Sequence, residues 1–124
     1  MAGTIVCDVI SDGAGNTTAM DNAIYGSAKA WASYNSVTQT IRGSTYNVSS
    51  VTYNGTGNVT FNFTNAFTDA NYAAFCSASV YPSVADVSCE FSTVYSTTQC
   101  GVVIFNVAGT ATTNSPIVNL VVHK

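Results

Sequence analysis

The side chains able to do chemistry are few, and their spacing assembles no familiar catalytic constellation. The single imidazole is His123. A triad needs such a ring held rigidly between a carboxylate and a nucleophile, and a penultimate residue is a poor place to hold one. Cys7, Cys76, Cys89 and Cys100 are separated by 69, 13 and 11 positions, which fits neither a CxxC metal pattern nor a small disulfide scaffold. Zinc takes three or four converging ligands. Only Cys76, Cys89 and Cys100, on neighbouring strands, come near that, and no metal or other cofactor is expected. The simplest reading of the four thiols is buried, reduced, small apolar side chains. Asp86 and Glu90 stand four apart on an extended segment, about 13 Å along the strand, too far for a glycosidase pair. Asp69 and Asp86 flank turns, where carboxylates serve turn geometry. Gly13-Ala14-Gly15 lacks the ending of a phosphate loop. The chain is therefore expected to be non-enzymatic.

Contact chemistry is the remaining lead. The sequence has 7 Tyr and 6 Phe. Phe61, Phe63, Phe91 and Phe105 are expected in the core by alternation, whereas Tyr53, Tyr81 and Tyr95 fall near strand ends. A tyrosine at a loop edge stacks on a sugar ring or anchors a protein contact. The loops Tyr81 to Asp86 and Ser96 to Gln99 thus supply the candidate receptor contacts: Tyr81, Asp86, Tyr95 and Gln99.

Composition narrows the partners. Only 7% of the 124 residues are charged, with net charge −3, against roughly 25% in an average soluble domain. Lys29, Arg42 and Lys124 are too few for the basic patch of a nucleic-acid binder or for an anionic membrane. No apolar run approaches the ~20 residues of a membrane helix. The N-terminus has neither the basic region nor the long apolar region of a signal peptide. The expectation is a protein made and kept in the cytosol, or released by lysis. The sequons at Asn16, Asn47, Asn54, Asn58 and Asn62 then follow from a chain rich in Asn, Ser and Thr. A lone monomer needs charge on its surface to stay soluble, so either neighbours cover much of this surface or hydroxyl and amide groups wet it.

These residues must be positioned by strands. Val59, Phe61 and Phe63 alternate with Asn58, Thr60, Asn62 and Thr64, the period of a half-buried strand. Val48 to Tyr53 precedes it, and Asn54-Gly55-Thr56-Gly57-Asn58 carries the glycines of a tight hairpin. Further strands are predicted over 72–80, 87–95, 100–107 and 117–123. Tyr72, Ala74, Cys76, Ala78 and Val80 share one face, and so do Val87, Cys89, Phe91, Thr93 and Tyr95. The near-continuous apolar run from Cys100 to Val107 suggests cover on both faces, the second by another subunit in a one-domain protein. Nearer the N-terminus, Thr4 to Ile10 reads as a strand and 12–16 as a turn. Thr18 to Gly26 is open between extended chain and a helical turn. Ala28 to Tyr34 and Val37 to Ile41 read as extended. Together these give an all-β fold: an antiparallel, jelly-roll-like β-sandwich over residues 27–124, with a short attachment and oligomerisation segment over residues 1–26.

At Gly26-Ser27-Ala28-Lys29-Ala30-Trp31, followed from Thr40 by TIRGSTYNVSSVTYNGTGNVTFNFTNAFTDANY, the chain resembles a C-terminal module of tail-fibre and related appendage proteins of tailed bacteriophages. The resemblance spans roughly residues 3 to 72, and Trp31, Arg42, Asn47, Asn54, Gly55, Gly57 and Tyr72 match recurring framework positions. It implies a homotrimeric, β-rich virion protein. Such a protein is assembled in the host cytoplasm and exposed on the particle. It is joined to other virion proteins through its N-terminal segment and contacts host-surface polysaccharide or protein through many weak sites. The module begins here almost at Met1, so a capsid decoration or a neck connector is the alternative, and a carbohydrate-active enzyme a remote one.

Overall fold

The structure, a computed structural model, describes residues 3, 7–11, 14–19, 23, 24, 26–80, 87–106, 108, 109 and 111–124. Two four-stranded antiparallel sheets enclose one core in a sandwich-like arrangement. The strands, in chain order, are β1 (Val9–Ser11), β2 (Thr17–Ala19), β3 (Ala30–Asn35), β4 (Thr40–Ile41), β5 (Val48–Gly55), β6 (Asn58–Phe63), β7 (Ala73–Ser79), β8 (Val87–Tyr95), β9 (Gln99–Asn106) and β10 (Ile117–His123). One sheet runs β4-β3-β10-β7 and the other β5-β6-β9-β8. β1 and β2 form a separate small sheet whose side chains are exposed.

Alternation sets the core. In the first sheet Ala30, Ala32 and Tyr34 of β3 lie beside Val122, Leu120 and Val118 of β10, all buried. In the second, Val59 and Phe61 of β6 lie beside Val102 and Cys100 of β9, with Ile104 next along. Tyr34 meets Phe61 edge-on between the layers, ring centroids 6.5 Å apart. Burying side chains of this size contributes about 1.5–3 kcal/mol each, so this double row holds the sheets together.

The β5–β6 hairpin forms where the glycines predict it. Gly57 takes φ +67°, and a Cβ there would stand 2.6 Å from the Thr113 nitrogen and 2.7 Å from the Ile104 carbonyl oxygen. Only glycine fits that approach. Asn114 Oδ1 accepts from the Gly57 N–H at 2.8 Å, tying the turn to the approach to β10.

Several expectations are corrected. Val37 to Gln39 is a turn rather than extended chain: Asn35 Oδ1 accepts from the N–H groups of Val37 and Thr38, and Gln39 takes φ +57°. An asparagine side chain that bonds the backbone ahead of it ends a strand. Phe91 is 38% exposed rather than core: it keeps the inward register opposite buried Val102, but on the edge strand β8 its ring is left partly uncovered. Phe105, expected in the core, is half-buried on the outer side of β9, as is Val103. Of the thiols only Cys100 is fully buried; Cys7, Cys76 and Cys89 are half-buried. Near the N-terminus, Thr17–Ala19 is a strand and Ala23, Ile24 and Gly26 are helical, so the open segment holds both kinds of backbone. Residues 4–6 and 12–13 of the first strand and turn lie outside the described residues.

Candidate contact surfaces

Each sheet presents an outer face, and the two are built from opposite chemistry. On β10, Val121 lies opposite Trp31 of β3 on one side and Phe75 of β7 on the other. Three adjacent strands thus carry a single apolar row. Trp31 is 39% exposed and Phe75 64%. Exposed Tyr46 continues the row, its backbone exchanging two hydrogen bonds with Trp31 at 2.9 and 3.0 Å. His123 meets Phe75 edge-on. Beside the row a shallow depression of about 600 Å³ is lined by Trp31, Ser33, Arg42, Ser77, Asn119 and Val121. Arg42 brings the only charge to that lining.

The outer face of the second sheet is a ladder of amides and hydroxyls. Gln99 Nε2 donates to Asn62 Oδ1 at 2.8 Å, and Asn62 Nδ2 donates to Ser50 Oγ and Thr52 Oγ1, each at 3.0 Å. One strand end away, Asn54 Nδ2 donates to Thr60 Oγ1 at 2.8 Å and Asn58 Oδ1 at 3.2 Å. A shallow concavity of about 340 Å³ opens here, lined among others by Thr52, Thr60, Ser92, Thr93 and Gln99. Oriented amides and hydroxyls of this kind match the hydroxyls of a sugar, which both donate and accept.

The four expected contact residues divide. Tyr81 and Asp86 lie outside the described residues. Gln99 is exposed at the rim of the polar concavity. Tyr95 is half-buried and committed inward: its ring stacks on Tyr72 at 4.4 Å, and its hydroxyl donates to the Tyr72 carbonyl at 2.7 Å. Tyr72 in turn donates to the carbonyls of Ser96 at 3.1 Å and Gln99 at 3.2 Å. Burial first, then the neighbouring Cys100 and Tyr95, push the Tyr72 hydroxyl well above the usual tyrosine range. Burial likewise pushes the Cys100 thiol up to about 11. The loop Ser96 to Gln99 is thus clamped from below by a tyrosine pair, which fixes where Gln99 stands.

A third concavity, about 440 Å³, gathers Lys29, Tyr46, Asn47, Phe67, Thr68 and Lys124. Its cations already have partners in the chain. Lys29 Nζ donates to the Ile24 carbonyl and to Ser27 Oγ, and Lys124 Nζ pairs with Asp69. The Lys124 hydrogen bond holds the Asp69 carboxyl below its ordinary range. Asn47, at φ +51°, uses its side chain to bond the Asn65 backbone in both directions.

Sequence reasoning missed the apolar row. Its three members come from strands far apart in sequence, and only the pairing of β10 with both β3 and β7 aligns them. Among the described residues no three His, Cys, Asp or Glu side chains gather as a metal site, and no helix is long and apolar enough to cross a membrane. No protein-family model, curated protein or solved structure matches the chain.

Proposed function

We propose that this chain is a bacteriophage virion structural protein: a self-associating tail-fibre or tail-tip module, three copies to a unit, that contacts the host surface by multivalent binding. The observation that carries self-association is the row Trp31–Val121–Phe75, its two aromatic rings exposed and Val121 half-buried between them, on a sheet face almost free of charge. Aromatic side chains in such a row are the kind that anchor interfaces. Its occupant is a second copy of the chain: a face of this poverty in charge repels no like face, and only 7% of the chain's residues are charged. The amide and hydroxyl face around Gln99 is left outward for host polysaccharide. Affinity then comes from repetition of weak sites rather than from one deep pocket. The exposed β1–β2 segment, with Val9 and Ile10 at its surface, is the part offered to other virion proteins. The four passages of the chain between the two sheets, after β4, β6, β7 and β9, support a jelly-roll-like path.

Light scattering and native mass spectrometry test the first half. A trimer near three times 12.9 kDa is expected; a clean monomer at high concentration refutes self-association. Adsorption of labelled protein to susceptible host cells tests the second half. Binding to capsids with no adsorption to cells would make the protein a decoration or connector instead.

A further inference from the structure

β7 and β8 are edge strands of different sheets that pack together along one side of the sandwich, so side chains rather than a shared ladder join them there. Cys76 of β7 lies opposite Leu120 in its sheet, and Cys89 of β8 lies opposite Ile104 in the other. Both of those neighbours are fully buried. The two thiols therefore cap the core at its open side. Their sulfurs are 3.1 Å apart, with the Cys89 S–H donating to Cys76 Sγ. A disulfide needs about 2.05 Å, so roughly 1 Å of approach remains. Both side chains are half-buried, which leaves them open to a small oxidant.

We propose that Cys76 and Cys89 are an oxidation site, kept as a dithiol in a reducing cytosol and converted by a peroxide outside it into a disulfide that staples the two sheets. The hydrogen bond from Cys89 lowers the Cys76 pKa, and the same bond, followed by burial, raises that of Cys89. Cys76 is thus the thiolate that reacts first. Its sulfur takes one oxygen from the peroxide as the O–O bond breaks, giving a sulfenic acid and hydroxide. Cys89 Sγ then attacks Cys76 Sγ; the S–S bond forms, the S–O bond breaks, and the second oxygen leaves as hydroxide. The two thiol protons convert both hydroxides to water. Two thiols are oxidised and one peroxide is reduced, with no other reactant.

The test uses the full chain treated with hydrogen peroxide, alkylated, and cleaved without reduction before Asp86 and after Glu90, which separates Cys76, Cys89 and Cys100 into different peptides. The expected result is an intact mass lower by two hydrogens and a joined pair of peptides carrying Cys76 and Cys89. The thermal midpoint should rise by roughly 10 °C, the scale for closing a loop of this length in a domain of this size, and fall back when a dithiol reductant is added. Cys76→Ala and Cys89→Ala should each lose the bond and the shift; Cys7→Ala should keep both. Persistence of every alkylatable thiol, oxidation of single thiols to sulfinic acid, a bond between any other pair, or an unmoved midpoint would each overturn the proposal.

Discussion

The two outer faces of this sandwich share a core, a strand count and a near absence of charge, yet they treat water differently. The β4-β3-β10-β7 face lines up Trp31, half-buried Val121 and Phe75 and leaves the two aromatic rings exposed. The β5-β6-β9-β8 face bonds amide to amide and hydroxyl, from Gln99 through Asn62 to Ser50 and Thr52. With charge set aside, the two faces are divided by geometry: one presents a polar ladder, and the other a contiguous apolar row. Exposed apolar surface gathered in one contiguous patch marks an interaction site, whereas the same residues scattered would mean little.

The sharpest way to break this contrast is to remove the row. Trp31→Ser combined with Phe75→Ser should weaken self-association by about a thousandfold or more, since truncated aromatic anchors cost ~2 kcal/mol or more each. The mass measured by light scattering should fall to the monomer while circular dichroism stays unchanged. An intact oligomer would move the interface elsewhere. Next in size, Gly57→Ala should destabilise the domain by roughly 3 kcal/mol, because the new Cβ meets backbone at a positive φ. Urea melts would read this, and the loss should fall on the fold beneath the polar ladder without touching the row.

Alkaline pH probes the clamp that holds Gln99. Burial raises the Cys100 thiol to about 11 in the folded chain, and raises the Tyr72 and Tyr95 hydroxyls as well. A group that keeps its proton more tightly when folded contributes stability that is complete below its unfolded pKa and drains away as pH climbs above it. Stability should therefore fall between about pH 9 and pH 11, and Cys100→Ala should flatten part of that fall in denaturant melts. On the ladder itself, Asn62→Ala should cost about 1 kcal/mol, since it leaves three side-chain partners to water. Gln99→Ala should change stability by less than about 0.5 kcal/mol and lower adsorption to host cells instead. A Gln99 variant that adsorbs fully would detach the polar face from the receptor.

Local signals account for most of what the sequence disclosed. The hairpin over Val48–Phe63 was legible because its period and its glycines both act within a few residues. The strands at 73–79, 87–95 and 117–123 were legible for the same reason, and so was the inward side of Cys76 and Cys89. What escaped was non-local. The part exposure of Phe91 follows from the place of β8 at the edge of its sheet, which only the pairing with β9 fixes. The inward commitment of Tyr95 depends on Tyr72, more than twenty positions earlier. Gln99 kept its exposed place, but the ladder that surrounds it draws on β5 and β6 as well. The Trp31–Val121–Phe75 row needs the first and last strands of the sandwich side by side, and no reading of either segment alone announces that.

That last pairing has a consequence for how the protein is made. β10 lies between β3 and β7 and is the last of the ten strands to leave the ribosome. Until it emerges, β3 and β7 each lack a neighbour, and the middle residue of the apolar row does not yet exist. Contacts so distant along the chain close slowly. Partly synthesised chains exposed to one another are prone to mispairing. Here the apolar row is finished only when translation has passed Val121, so no copy presents the whole row before its own sheet can close.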